Sequence, residues 1–131
     1  MAITKNAGRQ EVIAARVTGT FGTGNDIAVA GTYPAIDIPA GAIVIGGNLV
    51  ISDATTATVD VHIGDGVDDN RYADNVDGAA TGLTALTLTG YKYTTPDTID
   101  VMVDTADPAA DGAFELTVLY VVDGRAAFSQ G

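Results

Sequence analysis

From residue 113 to 123 the chain reads AFELTVLYVVD, with Phe114, Leu116, Val118, Tyr120 and Val122 alternating with Glu115, Thr117, Leu119 and Val121. A period of two marks a β-strand, because successive side chains point to opposite faces of a sheet. Both faces here are partly apolar, so this strand is expected in the middle of a sheet, with its second face against a partner. Two more segments alternate cleanly. TVDVHIG offers Val59, Val61 and Ile63 to a core, and TIDVMVD offers Ile99, Val101 and Val103. Their other faces carry Asp60 and His62, and Asp100, Met102 and Asp104.

The run AIVIGGNLVIS, residues 42–52, is broken by Gly46 and Gly47. That interruption predicts a bend or bulge where the strand passes from one sheet surface to another. EVIAARVT, IAVAGT and LTALTLTGYKY complete a set of roughly seven or eight strands. Turn-forming stretches separate them: IPAG at 38–41, SDAT at 52–55, TTPD at 94–97 and TADPAADG at 105–112. This spacing predicts an all-β chain folded as a single antiparallel β-sandwich or jelly roll, not a parallel α/β sheet. Residues 1–10 are expected to form an N-terminal arm, 11–124 the sandwich and 125–131 a C-terminal tail.

A chain of 131 residues, 47% of them hydrophobic, suits one domain with a real core. No apolar run approaches the roughly 20 residues that would cross a bilayer, so no membrane partner is expected. The opening MAITKNAGRQE lacks the apolar stretch of a signal peptide. With no cysteine, disulfides, thiolate metal sites and cysteine nucleophiles are excluded. The net charge of −11, with six basic residues, argues against a nucleic-acid surface, which needs a lysine and arginine stripe. Glu11 and Glu115 are the only glutamates among 17 acids, so the other 15 are aspartates, the acid that favours turns over helices.

Five of those aspartates crowd into GDGVDDNRYADNVDG, residues 64–78. Asp65, Asp68 and Asp69 are the alternative metal ligands, since calcium accepts several carboxylate oxygens at flexible geometry. Their spacing misses the EF-hand pattern, with its glycine too early and no closing glutamate. We read the stretch instead as one long solvated connection, with Asp65 and Gly66 giving turn geometry and Arg71 and Tyr72 fastening it. His62, the sole histidine, is expected in a surface pair with Asp60. Ser52 and Ser129 lie in no nucleophile elbow, and GTFGTGND lacks the lysine of a phosphate-binding loop. No catalytic constellation and no cofactor is expected.

Tyr91 and Tyr93 lie two apart in GYKY and would share one strand face, the alternative being a sugar-stacking platform. Basic residues gather at the ends. Lys5, Arg9 and Arg16 lie in the first 16 positions, and Arg125 and Phe128 follow the last strand. These five are candidate docking residues for a partner.

Taken in order, MAITKNAGRQEVIAARV, AIDIPAGAIVIGGNLVI, VHIGDGVDDNRY, GLTALTLTGYKYTTPDTIDVMVDT and GAFELTVLYVVDGRA resemble the head decoration, or capsid cement, proteins of tailed phages. The resemblance implies a non-enzymatic homotrimer that binds the major capsid protein outside an assembled shell and stabilises it. It also implies a virion protein assembled in the host cytoplasm. The rival reading is a ligand-binding β-sandwich module of a tail or baseplate, using Tyr91 and Tyr93.

Overall fold

The computed structural model describes residues 8–124 and 126–129, with side chains for residues 10–124. The described residues contain no helix. The strands are β1 (Gly8–Gln10), β2 (Ile13–Phe21), β3 (Gly31–Ile38), β4 (Ala42–Asp53), β5 (Asp60–Gly64), β6 (Ala73–Asp77), β7 (Gly82–Ala85), β8 (Asp97–Asp104), β9 (Gly112–Val122) and β10 (Ala126–Ser129). Eight of them form two four-stranded sheets, ordered β2-β9-β4-β7 and β3-β8-β5-β6.

Every pairing between named strands is antiparallel. First strands pair with last: β2 with β9, β3 with β8, β4 with β7 and β5 with β6. Bonds from β4 to β9 and from β5 to β8 then join these pairs into the two sheets. A long ribbon wrapped in this way is a jelly roll.

The alternation seen in the sequence sets which side faces inward. Phe114, Leu116 and Val118 of β9 and Leu49 and Ile51 of β4 meet Val61, Ile63, Ile99, Val101 and Val103 from the other sheet, all nearly inaccessible to water. Phe21 packs on Phe114 with ring centroids 5.1 Å apart. The space for Phe114 exists because residue 19 is glycine, where an added Cβ would sit 2.4 Å from the ring.

As expected, β9 is a central strand, flanked by β2 and β4. The glycine pair in β4 does make a bulge, between Val44 and Gly46, but the strand stays in one sheet and pairs with β9 on both sides of it. Gly47, at φ 133°, could not carry a side chain, since a Cβ would lie 2.2 Å from the Thr117 carbonyl oxygen.

Three expected elements are corrected, all of them at sheet edges. The strand placed on 27–32 is instead β3, Gly31–Ile38, which includes Pro34; Ile27 makes only an isolated bridge to Phe21. Proline has no N–H for the ladder and is tolerated where one strand side is unpaired. The connection placed over 64–78 contains the edge strand β6. The strand placed on 83–93 stops at Ala85, and only Lys92 bridges again, to Ile43. Beyond the sheets, β1 and β10 pair as a separate ribbon that places Arg9 opposite Phe128.

Candidate functional site

At one end of the sandwich the β5–β6 connection, residues 65–72, packs against the stretch between β7 and β8. Its centre is Asp65, whose side chain is wholly buried. Oδ2 accepts from Arg71 Nε at 2.6 Å and from the Tyr93 hydroxyl at 2.7 Å. Oδ1 accepts from the Val67 and Asp68 N–H groups at 3.0 and 2.9 Å, and from Arg71 Nη2 at 3.4 Å. The Tyr72 and Tyr93 hydroxyl oxygens lie 2.7 Å apart. Because the single Tyr93 proton goes to Asp65, Tyr72 is the donor of that pair.

Burial works to raise the Asp65 pKa, but the hydrogen bonds from Arg71, Tyr93 and the two backbone amides outweigh it and hold the carboxyl below its usual range. Burial, helped by the bonds to Tyr72 and Asp65, pushes the Tyr93 hydroxyl far upward, so it stays protonated as a donor. The Arg71 guanidinium lies 3.7 Å from the centroid of the Tyr91 ring, which meets Tyr93 edge-on at 5.0 Å. Gly66 N–H adds a bond to Asp97, 3.2 Å from each oxygen.

Arg71 and Tyr72 thus lie in one network with Asp65. The acids of this loop do not all face solvent, as the sequence led us to expect: Asp65 is the anchor, while Asp69 is exposed and Asp68 half-buried. Both Asp65 oxygens are already filled by donors. Among the described residues, no group of three or more histidine or acidic side chains is arranged to hold a metal ion. The paired-tyrosine platform is also corrected. Tyr93 is buried, neither tyrosine lies in a named strand, and the two rings meet edge to face.

His62 is corrected too. It is 4% exposed, and its partners are Asp74, 2.9 Å from Nδ1, and Asp104, 3.1 Å from Nε2. Asp60 accepts instead from the Thr105 hydroxyl at 2.5 Å. The Asn75 N–H also points at His62 Nδ1, at 3.3 Å. Asn75 itself has a φ of 52°, within the irregular pairing of β5 and β6. Burial lowers the imidazole pKa, but the bonds to Asp104 and Asp74 and their charges together raise it above 6.5.

Strand register sorts the charges between the two outer faces. On the β3-β8-β5-β6 sheet, Asp37, Asp60, Asp74, Asp77 and Asp104 project outward, with Asp60 directly opposite both Asp77 and Asp104, while Asp100 lies on the same face but is buried. No lysine or arginine lies in those strands. On the β2-β9-β4-β7 sheet the outward residues include Ile43, Val50, Leu83, Leu119 and Val121. Arg16, a candidate docking residue, lies within β2 on this face and is ion-paired with Glu115. Of the other docking candidates, Arg9 and Phe128 are described in backbone alone, and Lys5 and Arg125 lie outside the described residues.

Two features had no clear sequence signal. Asp100 is 6% exposed on the acidic face, and its Oδ1 accepts from the Thr98 hydroxyl at 2.5 Å. Burial pushes its pKa up, against the Thr98 bond. The choice of Asp65 over its neighbours depends on Tyr93, 28 residues away.

No protein-family model and no curated protein matches this chain. Solved structures do. A chain of the cyanophage Pam1 capsid asymmetric unit matches at a TM-score of 0.71 and 24% identity, over 93% of this chain and 91% of its own. A chain of the acidic stable capsid of Helicobacter pylori bacteriophage KHP30 matches at 0.61 and 22%, over 86% and 92%. One from the capsid of Ralstonia phage GP4 matches at 0.56 and 18%, over 95% and 92%. The jelly roll is therefore a fold this chain shares with phage capsid chains.

Proposed function

We propose that this chain is a virion structural protein that binds the outside of an assembled phage capsid, as a trimer, and reinforces the shell without catalysis. The observation that supports this reading most is the extent of the fold likeness, which spans at least 86% of this chain in each of three phage capsid structures. The side-chain chemistry agrees with it. Asp65, Arg71, Tyr72 and Tyr93 are bonded to one another, holding a connection in place, and are not arranged around an open substrate cleft.

Reinforcement follows from mass action. A ligand that binds the assembled shell but not its dissociated subunits shifts the equilibrium toward the shell. A trimer with several modest contacts gains avidity, because its second and third contacts form at high effective concentration. The acidic surface keeps many copies soluble before they dock.

The test is add-back. Purified protein mixed with capsids lacking it should co-sediment with them and raise the temperature at which they break open. Absence of both effects would sink the proposal.

A further inference from the structure

Midway along β5, one residue faces two. Val61 pairs with Val76 of β6 and Ile63 with Ala73, so Asp74 and Asn75 both stand opposite His62, a bulge in the edge strand β6. Asparagine tolerates the φ of 52° found at the extra residue. Both bulge residues aim at the same ring nitrogen. The Asp74 carboxylate lies 2.9 Å from His62 Nδ1, and the Asn75 N–H points at that atom from 3.3 Å. An ionised carboxylate only accepts and a backbone N–H only donates, so one nitrogen cannot serve both at once. Nε2, on the other side of the ring, faces Asp104 of β8 at 3.1 Å.

We propose that a proton on His62 Nδ1 switches the β6 bulge between two partners, Asp74 when the ring is charged and Asn75 when it is neutral. The charged ring has an N–H at each nitrogen and donates to Asp74 and Asp104. The neutral ring must place its single proton. On Nε2 that proton meets Asp104, and the bare Nδ1 accepts from the Asn75 N–H. On Nδ1 it would meet Asp74, but would set the Nε2 lone pair against the Asp104 carboxylate and one N–H against another at Asn75. The first arrangement leaves one repulsive contact, between Nδ1 and Asp74, and the second leaves two, so Nε2 keeps the proton. Asp74 is free to leave the ring: its side chain is 54% exposed, and Asn70 Nδ2 donates to it at 3.2 Å.

The surroundings favour the charged ring. Besides Asp74, this face carries Asp60 on β5, Asp77 on β6 and Asp100 and Asp104 on β8, with no lysine or arginine in those strands. Burial opposes them, but the bonds and charges of Asp104 and Asp74 outweigh it, so the exchange falls above pH 6.5. Because β6 is an edge strand, the switch alters the outermost groups of its sheet. Asp74 is tied to the ring at lower pH and released at higher pH.

The test is NMR on the purified full chain between about pH 5 and 9. Long-range proton–nitrogen spectra should show the neutral ring protonated at Nε2, and the Asn75 amide proton should move downfield with the same midpoint as the ring. Asp74→Asn should lower that midpoint by about 0.3 pH units or more. Asp77→Asn removes the same charge from β6 at a position opposite Asp60, not His62, and should move the midpoint less. A neutral ring protonated at Nδ1 would overturn the switch, as would an Asn75 amide that ignores the ring's midpoint or moves upfield. So would equal midpoint shifts in the two variants, or none in Asp74→Asn. The wild-type spectra decide the question even where a variant folds poorly.

Discussion

The Tyr93 hydroxyl donates to Oδ2 of Asp65 at 2.7 Å, joining two residues 28 positions apart at one end of the sandwich. The same carboxylate holds Arg71, so the β5–β6 connection is fixed by a buried ion pair and a tyrosine relay. Removing one partner of a buried pair leaves an uncompensated charge and costs about 3–5 kcal/mol. Arg71→Ala should therefore destabilise strongly in urea. Asp68→Ala, whose carboxylate accepts one bond, from Asn70 N–H at 3.3 Å, should change stability by about 0.5 kcal/mol or less. If Asp68→Ala is the worse, and wild-type melting depends on calcium, the loop is a cation site instead.

His62 predicts a pH dependence on the neutral to alkaline side. A protonated ring donates to Asp74 of β6 and Asp104 of β8, whereas a neutral ring has one N–H for two carboxylates. Its folded-state pKa is raised above 6.5, so its contribution is complete below about pH 6.5 and is lost as pH rises through the folded value. Wild type should exceed His62→Gln in Tm by a few degrees at pH 5.5, and the gap should close by pH 9. Parallel Tm curves would rule this out. On the acid side Asp65 acts with the opposite sign: its stabilisation is present above pH 3.8 and disappears as pH falls through its lowered value.

Asp100 is a buried carboxylate whose pKa is raised, so its charged form weakens the fold at neutral pH. Asp100→Asn keeps an oxygen for the Thr98 hydroxyl and removes the charge. We expect it to raise Tm by a few degrees at pH 7 and to make no difference near pH 3, where the wild-type group is already protonated. Calorimetry at the two pH values checks this, and a lower Tm at pH 7 would contradict it.

Gly64, the last residue of β5, is overlain by the backbone of Asp68 and Asp69; a Cβ would lie 2.2 Å from the Asp68 oxygen and 2.3 Å from the Asp69 carbonyl carbon. Gly64→Ala must push the connection away and pull Asp65 from its donors. A loss of about 2 kcal/mol or more is expected in urea, with faster amide exchange in residues 65–72. Unchanged stability would mean that the connection can shift freely.

The central strands were legible in the sequence because each is covered on both sides. β4, β5, β8 and β9 each have hydrogen-bonded neighbours along both edges, and their inward positions carry mainly Val, Ile, Leu and Phe, with the alternation interrupted in β4 at its glycine pair. The corrected elements β3, β6 and β7 are edge strands, free to hold Pro34, or as polar as ADNVD. The acidic connection was visible as a segment, with Arg71 and Tyr72 picked out. Its anchor was not, since five aspartates look alike until the fold brings Tyr93 to one of them. His62 was assigned Asp60 by adjacency within the strand, whereas its partners come from the neighbouring strands β6 and β8.

A cryo-EM map of the particle that carries this chain tests the central claim most directly. The account predicts the β2-β9-β4-β7 and β3-β8-β5-β6 sandwich as clustered copies on the outer surface of the closed shell. Density for this sandwich in the tail, or inside the shell, would contradict it.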